Sequence, residues 1–529
     1  MEQWLTVITI SVIASIINIF HVILGLAKTP VNFTYLATGH YYLDYFEYLQ
    51  HIAQGKAGDW LPVSYFVTNN SLVDWRFFPY ILLGKIAYIF NLSPMFIYWL
   101  SVFLLTVFIL IGFYWLIKIM LNQEPFYLKI FAFIIAIVSG PFYKIIFSNG
   151  RVSLDPYDFW YGPSFFYRRF EPIPYHLLGI LLLILIIIIT NNLWKKFNET
   201  TNKKVLLTGL TVAVLIAVSM TFSPFALFSF IPALLIMSFI YFIKEKKLRV
   251  KIFLFNLIIF TLIIPTAILL RKSTGYGGFN FEIAWIQHVS WRFLLLSLGP
   301  MVLFFPFGLY DYFKKYNFVK HLLFIFTLIS FGLFFSPIAY YLGVHNLRFF
   351  SGVSYIFYGV LTVLGIKNIS ILFKKYSKAT VFILSAFLIL YSLFLVFNKI
   401  KLKITDSDSR VPIVNISYVP NSLIAGLKTT ATFQDIQNVL VAPYSNIRLL
   451  VPIFGSRRVF NLDIANQFFT GQMKEEEAKR FFKKNNIGYV VLSYLDNYDL
   501  NSLRQYHFLK LTFSNRIIKV WQLKTDYLL

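Results

Sequence analysis

The chain has no cysteine among its 529 residues, which excludes disulfides, thiolate metal sites and a cysteine nucleophile. Charge is scarce as well: 13% of residues are Asp, Glu, Lys or Arg, against roughly a quarter in soluble domains. Carboxylates are the rarer sign, 23 against 48 Lys and Arg. No phosphate-binding Gly-rich loop, HExxH or GxSxG motif is present, so nothing points to ATP hydrolysis or a cytoplasmic catalytic domain. Internal repeats are lacking too, and no tract is of low complexity beyond the apolar runs.

Hydrophobic residues make up 58% of the chain and aromatics 20%. Stretches such as 177–189, 206–220 and 381–397 carry no charge at all. Each lies within a segment approaching the roughly 20 apolar residues that cross a hydrocarbon core of about 30 Å. The composition therefore predicts a polytopic helical membrane protein. The first apolar stretch, 4–26, is too long for a signal-peptide core and has no small-residue cleavage site before Lys28, so it reads as a retained first span.

The net charge of +25 could suggest nucleic acid, but the placement of the basic residues argues for topology instead. Lys195, Lys196, Lys203 and Lys204 flank one short loop, and Lys244, Lys246, Lys247, Arg249 and Lys251 another. Lys314, Lys315 and Lys320 form a third set, and Lys367, Lys374, Lys375 and Lys378 a fourth. Short basic loops stay on the cytoplasmic side. That rule makes the N-terminus cytoplasmic and 27–77 a long external loop. Residues 76–90 read as a short interfacial helix interrupted by Lys85. Spans follow near 94–118, 126–146, 174–192, 205–221, 225–243, 252–270, 292–310, 322–341, 349–366 and 379–397, eleven with the first. Counting 76–90 as a full span would place the loops around 195–204 and 244–251 outside.

Charged residues return from about Lys401. Segments 437–443 and Ile487–Ser493 read as buried strands, 474–484 as an amphipathic helix and 515–523 as a last strand. The expected fold class is an all-α polytopic membrane protein of about 11 transmembrane helices (1–400) with a small C-terminal α/β extracytoplasmic domain (401–529). Residues 406–410 are the expected linker.

Chemistry-bearing residues collect in the external loops. The first holds His40, Asp44, Glu47 and His51; on a helix His40/Asp44 and Glu47/His51 are i,i+4 pairs. Carboxylates at i,i+3, as Asp44 and Glu47 are, can raise one pKa to give a general base or can hold a divalent cation. A solvated amphipathic helix at the headgroups, with tyrosines at the interface, is the plainer reading. The second loop, 148–173, carries Asp155, Asp158, Trp160 and Tyr161, then Arg168, Arg169 and Glu171, with His176 just beyond it. Adjacent guanidinium groups suit phosphate, because each fork binds two oxygens, while the aromatics could stack on sugar rings. An aromatic belt with headgroup-binding arginines is equally compatible. Arg348 follows His345 and Asn346 at the mouth of a span, facing the external side, or snorkelling to it.

Asp44 in LDYFEYLQHIAQGKAGDW, Arg169-Phe-Glu-Pro ahead of a span, and Gly455-Ser-Arg457-Arg458-Val-Phe followed by IGYVVLS carry a resemblance. In these motifs and in its order of parts the chain resembles the GT-C superfamily of integral membrane glycosyltransferases, in the manner of its bacterial, polyprenyl-phosphate-sugar dependent members. The resemblance spans nearly the whole chain on short motifs. It implies a multi-pass protein of the plasma (inner) membrane and a polyprenyl-phosphate sugar donor reaching its site laterally through the lipid. The acceptor would be an extracytoplasmic envelope glycan, lipid or protein. Asp44, with Glu47 beside it, would act as the base. Arg168, Arg169 or Arg348 would stabilise the departing phosphate, with His176, Asp155 and Asp158 near the substrate. Tyr41, Tyr45 and Trp60 would line the acceptor path. Better-understood branches have adjacent Asp-Asp or Asp-Glu in the first loop; this chain does not, so a divalent cation stays an open alternative. A lipid-linked glycan transporter or flippase, and a non-catalytic scaffold of envelope assembly, are the competing readings. The former would show ionisable groups mid-span and repeated broken helices.

Overall fold

The computed structural model describes residues 2–524 apart from 39–41, 67–72, 149–150, 160–162, 246–247, 273–278, 374–376, 409–416, 433–437, 444, 461–462, 495, 497 and 500–501. The chain forms two compact units, Met1–Ile19 with Val102–Lys403, and Phe20–Ser101 with Ile404–Leu529. Residues 20–101 thus belong with the C-terminal domain, not with the 1–400 block that the hydropathy pattern suggests.

Ten described helices are long and apolar enough to cross a membrane, from Glu2–Ala27 through Pro94–Met120 to Lys378–Asn398. The expected span at 126–146 is the exception. Its helix, Phe126–Val138, stops after 13 residues, about 20 Å at 1.5 Å per residue. Ser139-Gly-Pro ends it, since proline disfavours helix at the preceding residue. Tyr143–Ser148 then pairs antiparallel with Arg151–Pro156 in a hairpin. Two other boundaries move: the helix after the 314–320 loop is Phe318–Phe335, and the next is Ser354–Leu372. The last helix continues to Asp408, through the start of the expected linker.

Within the first unit the basic loops gather at one end. Lys251 donates to the carbonyls of Phe197 and Asn198, both at 3.2 Å. The Trp194 ring stacks 5.2 Å from Phe318, and Tyr241 meets Tyr316 edge-on at 5.8 Å. Lys367 pairs with Glu124 at 2.7 Å, and Trp4 lies under the Lys118 ammonium. The 163–171, 223–225 and 345–352 segments form the other end, around a separate cavity.

In the second unit Phe33–Tyr35 pairs antiparallel with Tyr418–Pro420, which ties the first loop to the C-terminal domain. A five-stranded sheet has the order Val459–Phe460, Asn438–Val441, Ile487–Ser493, Ile518–Leu523, Leu509–Ser514. The first three strands are parallel and the last two antiparallel to their neighbours. Every residue of Ile487–Ser493 is buried, as both covered faces require. Phe468, Phe482, Phe508 and Trp521 build the core on one face. The Asn421–Thr429 helix covers the other, Gly426 resting on Ile518 and Phe513. The amphipathic helix is found at Glu475–Lys484, and Leu509–Ser514 is a further strand, outside the expected set although LKLTFS alternates apolar and polar residues.

The Tyr42–Ala57 helix packs backbone to backbone on Phe78–Ile89. A Cβ on Gly55 would collide with the Ile81 carbonyl, and one on Gly84 with the Ile52 carbonyl. The Phe78–Ile89 helix exposes Leu82, Ile86 and Ile89, the apolar face an interfacial helix needs. Gly84→Ala should destabilise this unit by about 2 kcal/mol through overpacking, read as a lowered thermal midpoint of the purified protein. An unchanged midpoint would contradict the close packing.

Candidate functional site

The polar end of the helical unit encloses a cavity of about 110 Å³ lined by Arg168, Glu171, His176, His345 and Arg348 among others. Three stretches distant in sequence converge there, and four of the expected substrate-binding residues, Arg168, Arg169, His176 and Arg348, border it. Arg348 lies in a single turn, Asn346–Phe349, rather than inside a span. Its guanidinium is gripped by Glu282, from Nη2 at 2.6 Å and Nε at 3.2 Å. Glu282 is buried, and it also meets His345, accepting from its amide at 3.4 Å with the ring Nε2 at 3.8 Å. Burial works against the Arg348 charge, but the Glu282 carboxylate outweighs it and raises the pKa further. Asn346 fixes the turn by donating to the carbonyls of Gln287 and Phe334 and accepting from the Gln287 amide. Glu282 escaped sequence reading, although it is the only carboxylate between Glu245 and Asp311.

Arg168 is half-buried and held by the Phe159 carbonyl and by Asp158, 3.4 Å from Nη1. Asp158 therefore steadies an arginine rather than facing a ligand alone. Arg169 does something else: it is 1% exposed. Its guanidinium donates to the carbonyls of Pro163, Ala136, Ile137, Ser139 and Ser164. The Tyr355 ring lies 3.3 Å away. All its donor positions are thus spent on main chain, and a phosphate finds none there; the expected role of Arg169 as a direct ligand is corrected to that of a positioning residue. Asp155 sits on the hairpin, paired with Lys144 at 2.6 Å.

In the second unit Asp44 is exposed in the first turn of Tyr42–Ala57, where the helix dipole favours a carboxylate. Glu47 is paired with the buried His51 at 3.3 Å, the i,i+4 contact its spacing predicts. Tyr45 is fully buried, its hydroxyl donating to the Leu36 carbonyl at 2.8 Å and accepting from Trp99 Nε1 at 3.3 Å. It is a core residue and cannot line a substrate path, which corrects that expectation. Trp60, 62% exposed, lies under the Lys85 ammonium at 4.6 Å. It borders an open groove of about 950 Å³ with Tyr65, Arg457, Arg458 and Lys484. The Val459 amide donates to the Tyr65 carbonyl at 2.9 Å and joins this loop to the sheet. His40, Tyr41, Trp160 and Tyr161 lie outside the described residues. Among the described residues no three His, Asp or Glu side chains converge as metal ligands.

No protein-family model matches the chain, and no curated protein sequence does. Solved structures do. ArnT from Cupriavidus metallidurans bound to undecaprenyl phosphate aligns over 99% of this chain and 99% of its own, at 9% identity and a TM-score of 0.51. The arabinofuranosyltransferase AftD from Mycobacteria aligns over 99% of this chain but 40% of its own, at 10% identity and 0.53. The Archaeoglobus fulgidus oligosaccharyltransferase AglB, in complex with an inhibitory peptide and a dolichol-phosphate, aligns over 92% and 69%, at 12% and 0.48. The chain has the GT-C fold. Identities this low carry the GT-C architecture and no individual residue role, so each side chain stands on its own geometry.

Two of those geometries are testable. Burial, and then the Arg348 charge, push the His345 imidazole down to about 4 against the pull of Glu282. An unfolded histidine titrates near 6.5, so between about pH 6.5 and 4 the unfolded chain takes up a proton that the folded chain refuses. The stabilisation is complete above pH 6.5 and is lost as pH falls towards 4, by about 3 kcal/mol. The thermal midpoint should therefore drop between pH 7 and pH 4.5, and His345→Asn should flatten that drop; equal slopes in the two proteins would refute the assignment. Glu282→Gln removes the counter-ion of a part-buried guanidinium and should cost about 3 kcal/mol of stability at pH 7, measured the same way.

Proposed function

We propose that this protein is a membrane glycosyltransferase that moves a sugar from a polyprenyl-phosphate donor to an extracytoplasmic envelope acceptor. The observation that carries the reading is the cavity of Arg168, His176, His345 and Arg348, set in a GT-C fold at the end of the helical unit opposite the basic loops. The positive-inside bias supports an outward-facing cavity, since it keeps short basic loops such as those at the opposite end of this unit on the cytoplasmic side. Support for the donor class comes from ArnT, solved bound to undecaprenyl phosphate.

In the proposed reaction an acceptor hydroxyl attacks the anomeric carbon, the bond from that carbon to the phosphate oxygen breaks, and polyprenyl phosphate leaves with the electron pair. Arg348 is built for the charge that develops on the leaving oxygen. Glu282 takes its Nε and one Nη2 proton, and its Nη1 has no hydrogen-bond partner among the described residues. A guanidinium fixed in advance in this way stabilises the transition state without reorganising. Arg168, steadied by Asp158, supplies a second fork, and His345, kept neutral by burial, adds a dipole rather than a charge. Asp44 is the proposed base for the acceptor proton; it is exposed in the first turn of its helix, whereas Glu47 is engaged by His51. The groove bordered by Trp60 is proposed to take the acceptor, with the indole face for a sugar ring and Arg457, Arg458 and Lys484 for acidic groups.

Transfer of radiolabelled sugar from a panel of polyprenyl-phosphate sugars by purified protein in membranes tests this. Arg348→Gln should lower kcat/KM by a factor of about 100 or more, and Asp44→Asn by about 100 to 10,000. Full transfer by Asp44→Asn would move the base elsewhere, and no transfer from any donor by folded wild type would remove the reading. The lack of native cysteine also makes the sidedness direct to check. A cysteine introduced at the exposed Ser514 should react with an impermeant maleimide in intact cells, and one at the exposed Asn198 should not.

A further inference from the structure

The end of the helical unit where the basic loops gather holds a second polar cavity, of about 420 Å³. Its walls are the 120–124 turn, the 311–320 segment and Lys367. Four lysines reach it, Lys314, Lys315, Lys320 and Lys367, against the two carboxylates Glu124 and Asp311. Lys367 is spent on Glu124 at 2.7 Å, and Lys315 donates one proton to Gln123 Oε1 at 2.7 Å.

Lys320 is different in kind. Its side chain is 7% exposed, yet its ammonium makes no hydrogen bond or ion pair among the described residues. The Tyr312 ring lies 5.4 Å from Nζ to the centroid, and the Glu124 and Asp311 carboxylates act on the ammonium only through space. An ammonium on so buried a side chain, with no hydrogen-bonded counter-ion among the described residues, carries a desolvation cost that an anion in the cavity would offset. Lys320 also stands in the first turn of Phe318–Phe335, an 18-residue helix whose cap, Asn317, lines the same cavity and accepts the Lys320 amide at 3.2 Å. The positive end of that helix and the buried ammonium therefore favour the same occupant, an anion.

We propose that this cavity is a binding site for a phosphate group, held by Lys320 with Lys314 and Lys315, at the end of the helical unit remote from Arg348. Several ammonium donors grouped around one small volume suit the dispersed charge of phosphate, which lysines bind as point charges. Two sources carry that chemistry, the headgroup of an anionic phospholipid and a soluble phosphate compound. The site is independent of the glycosyl-transfer reading, since none of its residues takes part in that chemistry.

Binding of radiolabelled inorganic phosphate to the full chain in phosphatidylcholine nanodiscs gives the first readout. Wild type should show one saturable site at this end, weakened at least tenfold in Lys314→Gln/Lys315→Gln, two exposed positions that leave the fold intact, and in Lys320→Met. Nanodiscs containing phosphatidylglycerol then separate the sources. Phosphate excluded by that lipid, with more phosphatidylglycerol retained by wild type than by the lysine variants, identifies a headgroup site. Phosphate bound equally well in both lipids identifies a soluble ligand. Phosphate binding that survives the lysine substitutions, or is lost only in Arg348→Gln, overturns the proposal. So does folded wild type that retains neither phosphate nor phosphatidylglycerol.

Discussion

Arg169 carries a charge in a place where water cannot reach it, and the outer end of the helical unit is arranged around that fact. Among the described residues it has no carboxylate partner. Its guanidinium instead collects main-chain carbonyls from the end of Phe126–Val138 and from 163–164. Burial lowers its pKa to about 10, which still leaves it charged at neutral pH. Each charge-assisted bond is worth roughly 1.5–3 kcal/mol. The carbonyls of Ala136, Ile137 and Ser139 belong to a helix end that would otherwise lie orphaned in an apolar setting. One side chain therefore ends a short helix, turns the chain into the hairpin and fixes the loop that presents Arg168.

The two clusters of cations in the helical unit solve the problem of buried charge in opposite ways. Around Arg348 every cation has been given a fixed partner: Glu282 for Arg348, Asp158 for Arg168, carbonyls for Arg169. Net attraction for an anion is then small, and recognition rests on the direction of the remaining N–H groups. Directional donors discriminate a leaving phosphate from other anions better than excess charge does. At the other end Lys320 has no direct ion pair among the described residues and lysines outnumber carboxylates, so attraction comes from charge more than from shape. A site that must release its ligand at each turnover gains from the first arrangement, and a site that holds a resident anion from the second.

Length and charge made the spans readable, because a run of about 20 apolar residues has few alternatives to crossing a membrane. They failed at 126–146, where the run was long enough but Gly140-Pro141 and a distant arginine stopped the helix. Arg168 and Arg169 show why site residues were only partly legible. Adjacent residues on a turn point in different directions, and nothing local tells which guanidinium is 1% exposed and spent on carbonyls and which keeps a carboxylate beside it. Tyr45 was lost for the same reason, since its core partners Leu36 and Trp99 come from both sides of its helix. Joining 20–101 to the C-terminal domain depends on pairing Phe33–Tyr35 with Tyr418–Pro420 across some 380 residues, for which no local pattern exists.

That long-range pairing has a mechanical consequence. Asp44 stands in the first turn of Tyr42–Ala57, and the Trp60 groove opens just past its last residue. A straight helix of this length separates the two by about 20 Å, at 1.5 Å per residue. The helix is held on Phe78–Ile89 at the Gly55–Gly84 approach, where even a methyl group would not fit, and the groove's far wall is the strand carrying Val459, bonded to Tyr65. Helix, loop and sheet are thus one packed body, so an extended acceptor seated against Trp60 and Arg458 would keep its register relative to Asp44. Holding reactants in a fixed geometry is itself a large part of rate enhancement. A small C-terminal domain fused to the first loop by strand pairing supplies that rigidity without any contribution from the membrane-spanning helices.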